Sequence, residues 1–201
     1  MARDPRQSDR VNLSETTVLL IDDNPQSLDI LSSIVQGFGV REQVRAMSAQ
    51  TAKDILQRRS VDLILVDCGV MGDMDGYDFV RWLRRENPEP LCMTPAVMLT
   101  GHATQAQVAK SRDCGASFII AKPLTPAVLL QRLLWLAADQ REFVQSAGYV
   151  GPDRRVRNAG PPLGMAGRRH DDLSAEVGAA VEANMEQGEI DSFFKPQRVA
   201  L

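Results

Sequence analysis

Four short apolar runs, each broken off by a polar or charged residue at its C-terminal end, constrain this chain more than any other feature. Val18-Leu19-Leu20-Ile21 stops at Asp22-Asp23-Asn24-Pro25, Val61 to Val66 stops at Asp67, Ala96 to Leu99 stops at Thr100, and Ser117 to Ala121 stops at Lys122-Pro123. Runs this short and this apolar read as strands buried on both faces. A weaker segment, Val44 to Met47, makes a fifth.

Between them the apolar positions recur at helical spacing. Leu28, Leu31, Ile34, Val35 and Phe38 follow Pro25 on one face, with Gly37 and Gly39 where a C-terminal cap falls. Ser48 to Arg59, Gly76 to Arg85, Thr104 to Cys114 closed by Gly115, and Thr125 to about Val144 predict four more helices. In Gly76 to Arg85, Tyr77, Phe79, Val80, Trp82 and Leu83 stand beside Asp78, Arg81, Arg84 and Arg85, which predicts a basic outer edge. Strands alternating with helices predict an α/β fold, a five-stranded parallel sheet wound on both faces by five helices with right-handed crossovers. Ligands of such sheets bind outside the carboxyl ends of the strands.

Those ends are where the chemistry gathers: Asp22, Asp23, Asp67, Thr100 and Lys122. Three carboxylates brought together repel one another unless a hard cation shares them, and magnesium suits an oxygen-only donor set. One carboxylate would then attack a phosphoryl group, while cation, hydroxyl and ammonium take up the charge on its oxygens. Thr100 and Lys122 supply the last two, and Lys122 is one of only four lysines in the chain.

The bland readings run beside this one. Asp22-Asp23 would serve as a helix cap before Pro25, Thr100 as a cap, and Lys122 as half of a surface ion pair. Asp73 and Asp75 end no strand and read as turn and cap residues. Cys68 lies next to Asp67, but strand alternation turns it away from the site, and it reads as a buried thiol.

The ordered set resembles the receiver domain of bacterial two-component response regulators, the CheY-like family, from roughly Thr16 to Val144. It comprises Asp22-Asp23 after the first strand, Asp67 after the third, Met74-Asp75-Gly76 opening the third helix, Thr100-Gly101 after the fourth strand and Lys122-Pro123 after the fifth. The separations 23 to 67 and 100 to 122 are also those of the family. The resemblance implies a doubly wound sheet in the order 2-1-3-4-5 and a phosphoryl group accepted on Asp67 from a sensor histidine kinase or phosphotransferase. It also implies Mg2+ held by Asp23, Asp67 and the carbonyl of Gly69, with Asp22 reaching it through water. Thr100 would follow the phosphoryl oxygen as a switch hydroxyl, Lys122 would pair with it, and Lys122-Pro123 would be cis.

Three departures from the family pattern stand out. The loop from Cys68 to Gly76 is one residue longer than usual and lacks the family's proline. Ile119 stands where a switch Tyr or Phe is common, with Phe118 one place earlier and so on the opposite strand face. Gly69 and His102 flank the phosphoryl position and are expected to set the lifetime of the acyl phosphate.

Composition bounds the rest. The 201 residues, 44% hydrophobic and 24% charged, are those of a globular chain. No run approaches the ~20 apolar residues of a membrane span, and no signal peptide is read, so no membrane insertion and a cytoplasmic location are expected. Three cysteines, Cys68, Cys92 and Cys114, with two histidines and no C-x-x-C, argue against a disulfide framework or a zinc site. A net charge of −3 offers no whole-chain reason to bind nucleic acid, and no sequence-specific DNA binding is expected.

The expected division is a flexible N-terminus over residues 1–15, the receiver domain over 16–145, and a tail over 146–201. That tail includes Gly151-Pro152-Asp153-Arg154-Arg155 and reads as a linker, first of all a solvated tether, whose arginines could otherwise touch nucleic acid or an acidic protein surface nonspecifically, or pair with the chain's own segment Asp171 to Asp191 or its acidic site. From Asp171 to Asp191 every charged residue is acidic, and Leu173, Val177, Ala180, Val181 and Met185 suggest a short helix behind Ser174.

The last domain helix, with Val128, Leu129, Leu130, Leu133, Leu134, Trp135 and Leu136, leaves only Gln131, Arg132 and Asp139 as a polar strip, so the linker or another chain is expected to cover part of it. The face of the fourth helix, fifth strand and fifth helix is the expected partner surface, for a downstream protein or a homodimer. The sequence thus reads as a stand-alone phosphorylation switch rather than an enzyme. Two alternatives stay open: an adaptor that works without phosphate, and a magnesium-dependent phosphohydrolase with an Asp nucleophile. The latter usually shows Asp-x-Asp after the first strand, whereas the acids here are adjacent.

Overall fold

The computed structural model describes residues 13–69, 71–139, 141–154 and 184–194. The N-terminal stretch, most of the Arg-rich linker and the helix expected behind Ser174 lie outside them. Five strands, β1 (Thr17–Ile21), β2 (Glu42–Ala46), β3 (Leu63–Asp67), β4 (Ala96–Thr100) and β5 (Phe118–Ala121), form one parallel sheet in the order β2-β1-β3-β4-β5. Every residue of β1 and β4 is buried, as expected of strands covered on both faces, while β2 at one edge is largely open to solvent.

The helices are α1 (Pro25–Gly37), α2 (Ala49–Arg58), α3 (Gly76–Arg85), α4 (Gln105–Cys114) and α5 (Pro126–Ala137). Each begins on a cap legible in the sequence: Asn24, Ser48, Asp75, Thr104 and Thr125 all accept backbone N–H groups of the first turn. Asn24, not the acidic pair before it, caps α1, which leaves Asp22 and Asp23 available for other work. Gly115 closes α4 in the left-handed conformation, φ +95°.

Three expectations need correcting. The helix expected to run from Thr125 to Val144 ends at Ala137. Beyond it the Asp139 carboxylate accepts the N–H and guanidinium of Arg141, a local turn that competes with further helix, and Arg141 also donates to Ser117 O at 3.0 Å. The chain then forms an antiparallel hairpin, β6 (Phe143–Gln145) and β7 (Val150–Pro152), where a linker was expected to begin. Glycine makes its docking feasible: a Cβ on Gly151 would lie 2.8 Å from the Cα of Gly115, and one on Gly115 only 2.4 Å from the carbonyl oxygen of Val150.

Arg84, placed by its sequence neighbours on the outer edge of α3, is instead buried beneath this hairpin. Its Nε donates to Gly115 O at 2.9 Å, and its Nη1 to Cys92 O and Thr94 O, both at 2.8 Å. The Phe143 ring covers the guanidinium at 5.3 Å. Burial among neutral carbonyls pushes its pKa down to about 10, which leaves it a cation at neutral pH.

The third correction concerns Arg132. A further helix, α6 (Gln187–Phe194), packs on α4 and β5, and Asp191 pairs with Arg132. Arg132 is therefore buried rather than part of an exposed polar strip, while Leu130 of α5 stays 36% exposed. Arg154 pairs with Asp113 of α4 and lies 3.8 Å over the Tyr149 ring, so this linker arginine meets the domain itself.

Candidate functional site

The site lies where the carboxyl ends of β1, β3 and β5 meet. Asp22, one residue past β1, is buried, with one oxygen accepting the N–H of Asn24 at 2.9 Å. Its other oxygen accepts from Lys122 Nζ at 3.0 Å. Asp67 closes β3, and its Oδ1 accepts from the same ammonium at 2.6 Å. One lysine thus bridges two carboxylates that the chain places 45 positions apart. Burial works against the Lys122 cation, but the hydrogen bonds and charges of Asp67 and Asp22 outweigh it and hold its pKa above the usual lysine value. The Lys122-Pro123 bond is cis.

The second Asp67 oxygen accepts the backbone N–H of Gly69 at 2.6 Å. A Cβ at residue 69 would come within 2.7 Å of that oxygen, so this position of the carboxylate depends on glycine. Gly76 is constrained more severely. Its Cβ would fall 2.0 Å from the carbonyl oxygen of Asp67, and only glycine lets α3 start against the backbone of the acid.

The longer loop closes without proline. Met71 is buried, donates its N–H to Met74 O at 2.9 Å and accepts the N–H of Ala49 at 3.1 Å, while Gly72 takes the left-handed conformation, φ +91°. From Met71 on, the loop is anchored to the start of α2. The Gly69 carbonyl accepts Gly76 N–H at 3.2 Å, which leaves it a second lone pair.

Asp22, Asp67 and Lys122 are brought together; Asp23 and Thr100 are not. Asp23 is exposed, with no hydrogen bond among the described residues, and no three His, Cys, Asp or Glu of those residues stand close enough to hold a metal as the side chains lie. The Thr100 hydroxyl turns into its own loop, donating to His102 O at 2.6 Å and accepting His102 N–H at 3.1 Å. His102 is exposed.

Asp75 caps α3 and pairs with Lys110 at 3.0 Å, and Asp73 is exposed, consistent with turn and cap roles. Cys68 is buried, and burial pushes its thiol up to about 12. Sequence reasoning named Met185 only as part of a short helix and missed Asn184 and Gln187; together the three hold the loop after β4 and the edge of β5, a role of which such residues in an acidic stretch carry no signal.

Residues 18–134 match the response regulator receiver domain family. The chain belongs to that family. It is 26% identical over 121 residues to the transcriptional regulatory protein YvrH of Bacillus subtilis, a match covering 60% of this chain and 48% of that protein. The chain thus spans about half the length of this curated relative. Among solved structures it resembles the chemotaxis protein CheY4 of Vibrio cholerae, at 28% identity and TM-score 0.55, over 60% of this chain and 97% of that one. It also resembles the receiver domain of a signal transduction histidine kinase from Syntrophus aciditrophicus, at 28% identity and TM-score 0.55, over 66% of this chain and 98% of that one.

Proposed function

We propose that this chain is a phosphoacceptor switch of a two-component phosphorelay, modified on Asp67 by a phosphohistidine of a histidine kinase or phosphotransferase and acting through protein contacts in the cytoplasm. The observation that carries the reading is the Lys122 ammonium shared between Asp22 and Asp67. A carboxylate so placed is oriented and next to a cation that can follow charge onto an incoming phosphoryl group.

In the transfer, an Asp67 oxygen forms a bond to phosphorus as the phosphorus–nitrogen bond of the donor imidazole breaks, and that electron pair stays on the imidazole. Lys122 keeps its proton and pairs with a phosphoryl oxygen. Thr100 releases His102 O and donates its hydroxyl to another. Gly69 N–H offers a third donor.

The donor chemistry fits Mg2+, because two carboxylates already share a cation and the Gly69 carbonyl has a free lone pair, while the exposed Asp23 would have to turn in to supply a third. Asp22, Asp23, Asp67 and Gly69 would hold it, Asp22 through water. Bound there, it would neutralise charge on the phosphoryl oxygens.

The test is intact-protein mass after incubation with magnesium and acetyl phosphate. A single phosphoryl adduct, absent in Asp67→Asn, is expected; an adduct that persists in the variant, or none in either chain, contradicts the reading.

A further inference from the structure

Residues 184–194 lie across the face made by α4, β5 and α5, and five polar contacts and two buried side chains fix them there. Ala103 donates its N–H to Asn184 Oδ1 at 3.2 Å and accepts the N–H of Met185 at 2.8 Å. The Gln187 carboxamide accepts the N–H of Ala121 at 2.8 Å and donates to Ile119 O at 3.2 Å. Asp191 pairs with Arg132, their side chains 8% and 3% exposed. Ile190 and Phe194 are buried, with the Phe194 ring 5.9 Å from Phe118, which lies 6.5 Å from Trp135.

Each contact answers a separate need. The edge strand β5 presents unpaired backbone groups, and a carboxamide matches one donor and one acceptor at once. A buried guanidinium is costly without a counter-ion; Nε and Nη1 of Arg132 find no hydrogen-bond partner among the described residues, so Asp191 carries the compensation. Gln187, Ile190, Asp191 and Phe194 fall at i, i+3, i+4 and i+7, one face of a helix.

We infer that this face is a helix-docking groove whose resident occupant is the chain's own segment 184–194, and that phosphorylation of Asp67 opposes its occupancy. The inference rests on the phosphoacceptor reading of Asp67. The link is the loop after β4. Thr100 holds that loop through two hydrogen bonds to His102, and the next residue, Ala103, carries both hydrogen bonds to Asn184 and Met185. When the Thr100 hydroxyl turns to a phosphoryl group, the His102 bonds break, Ala103 moves with its loop, and the segment loses its first anchor. Linkage makes this reciprocal: a chain with a loosened segment binds a phosphoryl group more tightly. A partner that takes the vacated groove is a helix presenting a carboxamide, an aliphatic group, a carboxylate and an aromatic ring on one side.

Hydrogen exchange by mass spectrometry on the full chain tests this, with magnesium and beryllofluoride as phosphoryl analogue, in the native protein, Asp191→Asn and Gln187→Ala. Protection around Asp67 and Thr100 reports binding at the site; protection at 184–194 reports docking. The expected result is docking in the free chain at every protein concentration, its loss when beryllofluoride saturates the site, and several-fold tighter beryllofluoride binding in both variants. Saturation with protection at 184–194 unchanged, or variants of unchanged affinity, overturns the coupling alone. Protection at 184–194 that falls on dilution assigns the groove to another copy and overturns the resident occupant. Failure of beryllofluoride to protect the Asp67 region overturns the phosphoacceptor reading and the coupling with it.

Discussion

Lys122 Nζ and Asp67 Oδ1 stand 2.6 Å apart, and the same ammonium reaches Asp22 at 3.0 Å. Without it two carboxylates at the sheet edge would face each other unshielded. Lys122→Met is therefore expected to lower stability by about 1–3 kcal/mol at neutral pH and low magnesium. Added magnesium should recover more stability in the variant than in the native chain, since it replaces the missing cation. Denaturant unfolding with and without magnesium measures both; equal magnesium effects in the two proteins would show that the acids do not share a cation site.

Gly69 lies against the Asp67 carboxylate, where a Cβ would stand 2.7 Å from its Oδ2 and make the acid shift. Gly69→Met is expected to lengthen the half-life of the acyl phosphate several-fold by crowding the approach of water. The rate of phosphate loss after donor removal reads this directly, and an unchanged rate refutes the assignment.

Arg84 joins α3, the Cys92–Thr94 segment and the turn before β5 through three carbonyl bonds beneath Phe143. Arg84→Ala strands those acceptors in a buried site and is expected to cost about 3 kcal/mol. Thermal unfolding checks it; a loss below about 1 kcal/mol would mean that water satisfies the carbonyls.

All three cysteines are buried, and burial pushes the Cys114 thiol up to about 12 from its ordinary 9.0. Below pH 9 both folded and unfolded chains hold that proton. As pH rises from 9 toward 12 the unfolded chain ionises first, so this contribution to stability is lost across that window. Cys114→Ala is expected to flatten the fall in stability between those limits, measured by urea unfolding at stepped pH. Iodoacetamide at pH 7.5 should leave the native chain unalkylated.

The strands and caps are legible in the sequence because their signals are local. The change from apolar run to charge is enough to end the first strand at Asp22, with no knowledge of what packs on Val18 or Ile21. Asp67 and Lys122 are legible for the same reason, as polar residues that end apolar runs in a fold whose strand ends converge. Arg84 and Arg132 are not. Each looks like any surface arginine on an amphipathic helix, and what buries it arrives from far along the chain, the β6–β7 hairpin for Arg84 and Asp191 for Arg132. Gly151-Pro152 reads as linker because glycine and proline fill no core, yet glycine is what lets that backbone lie against Gly115. The direction of the Thr100 hydroxyl, set by its hydrogen bonds to His102, likewise leaves no trace in spacing.

The most direct test of the central claim is the position of the modified residue. Phosphorylated chain, trapped by borohydride reduction of the acyl phosphate and digested, should carry the modification on Asp67 alone. Modification of Asp22, Asp23 or Asp75 in its place would contradict the account.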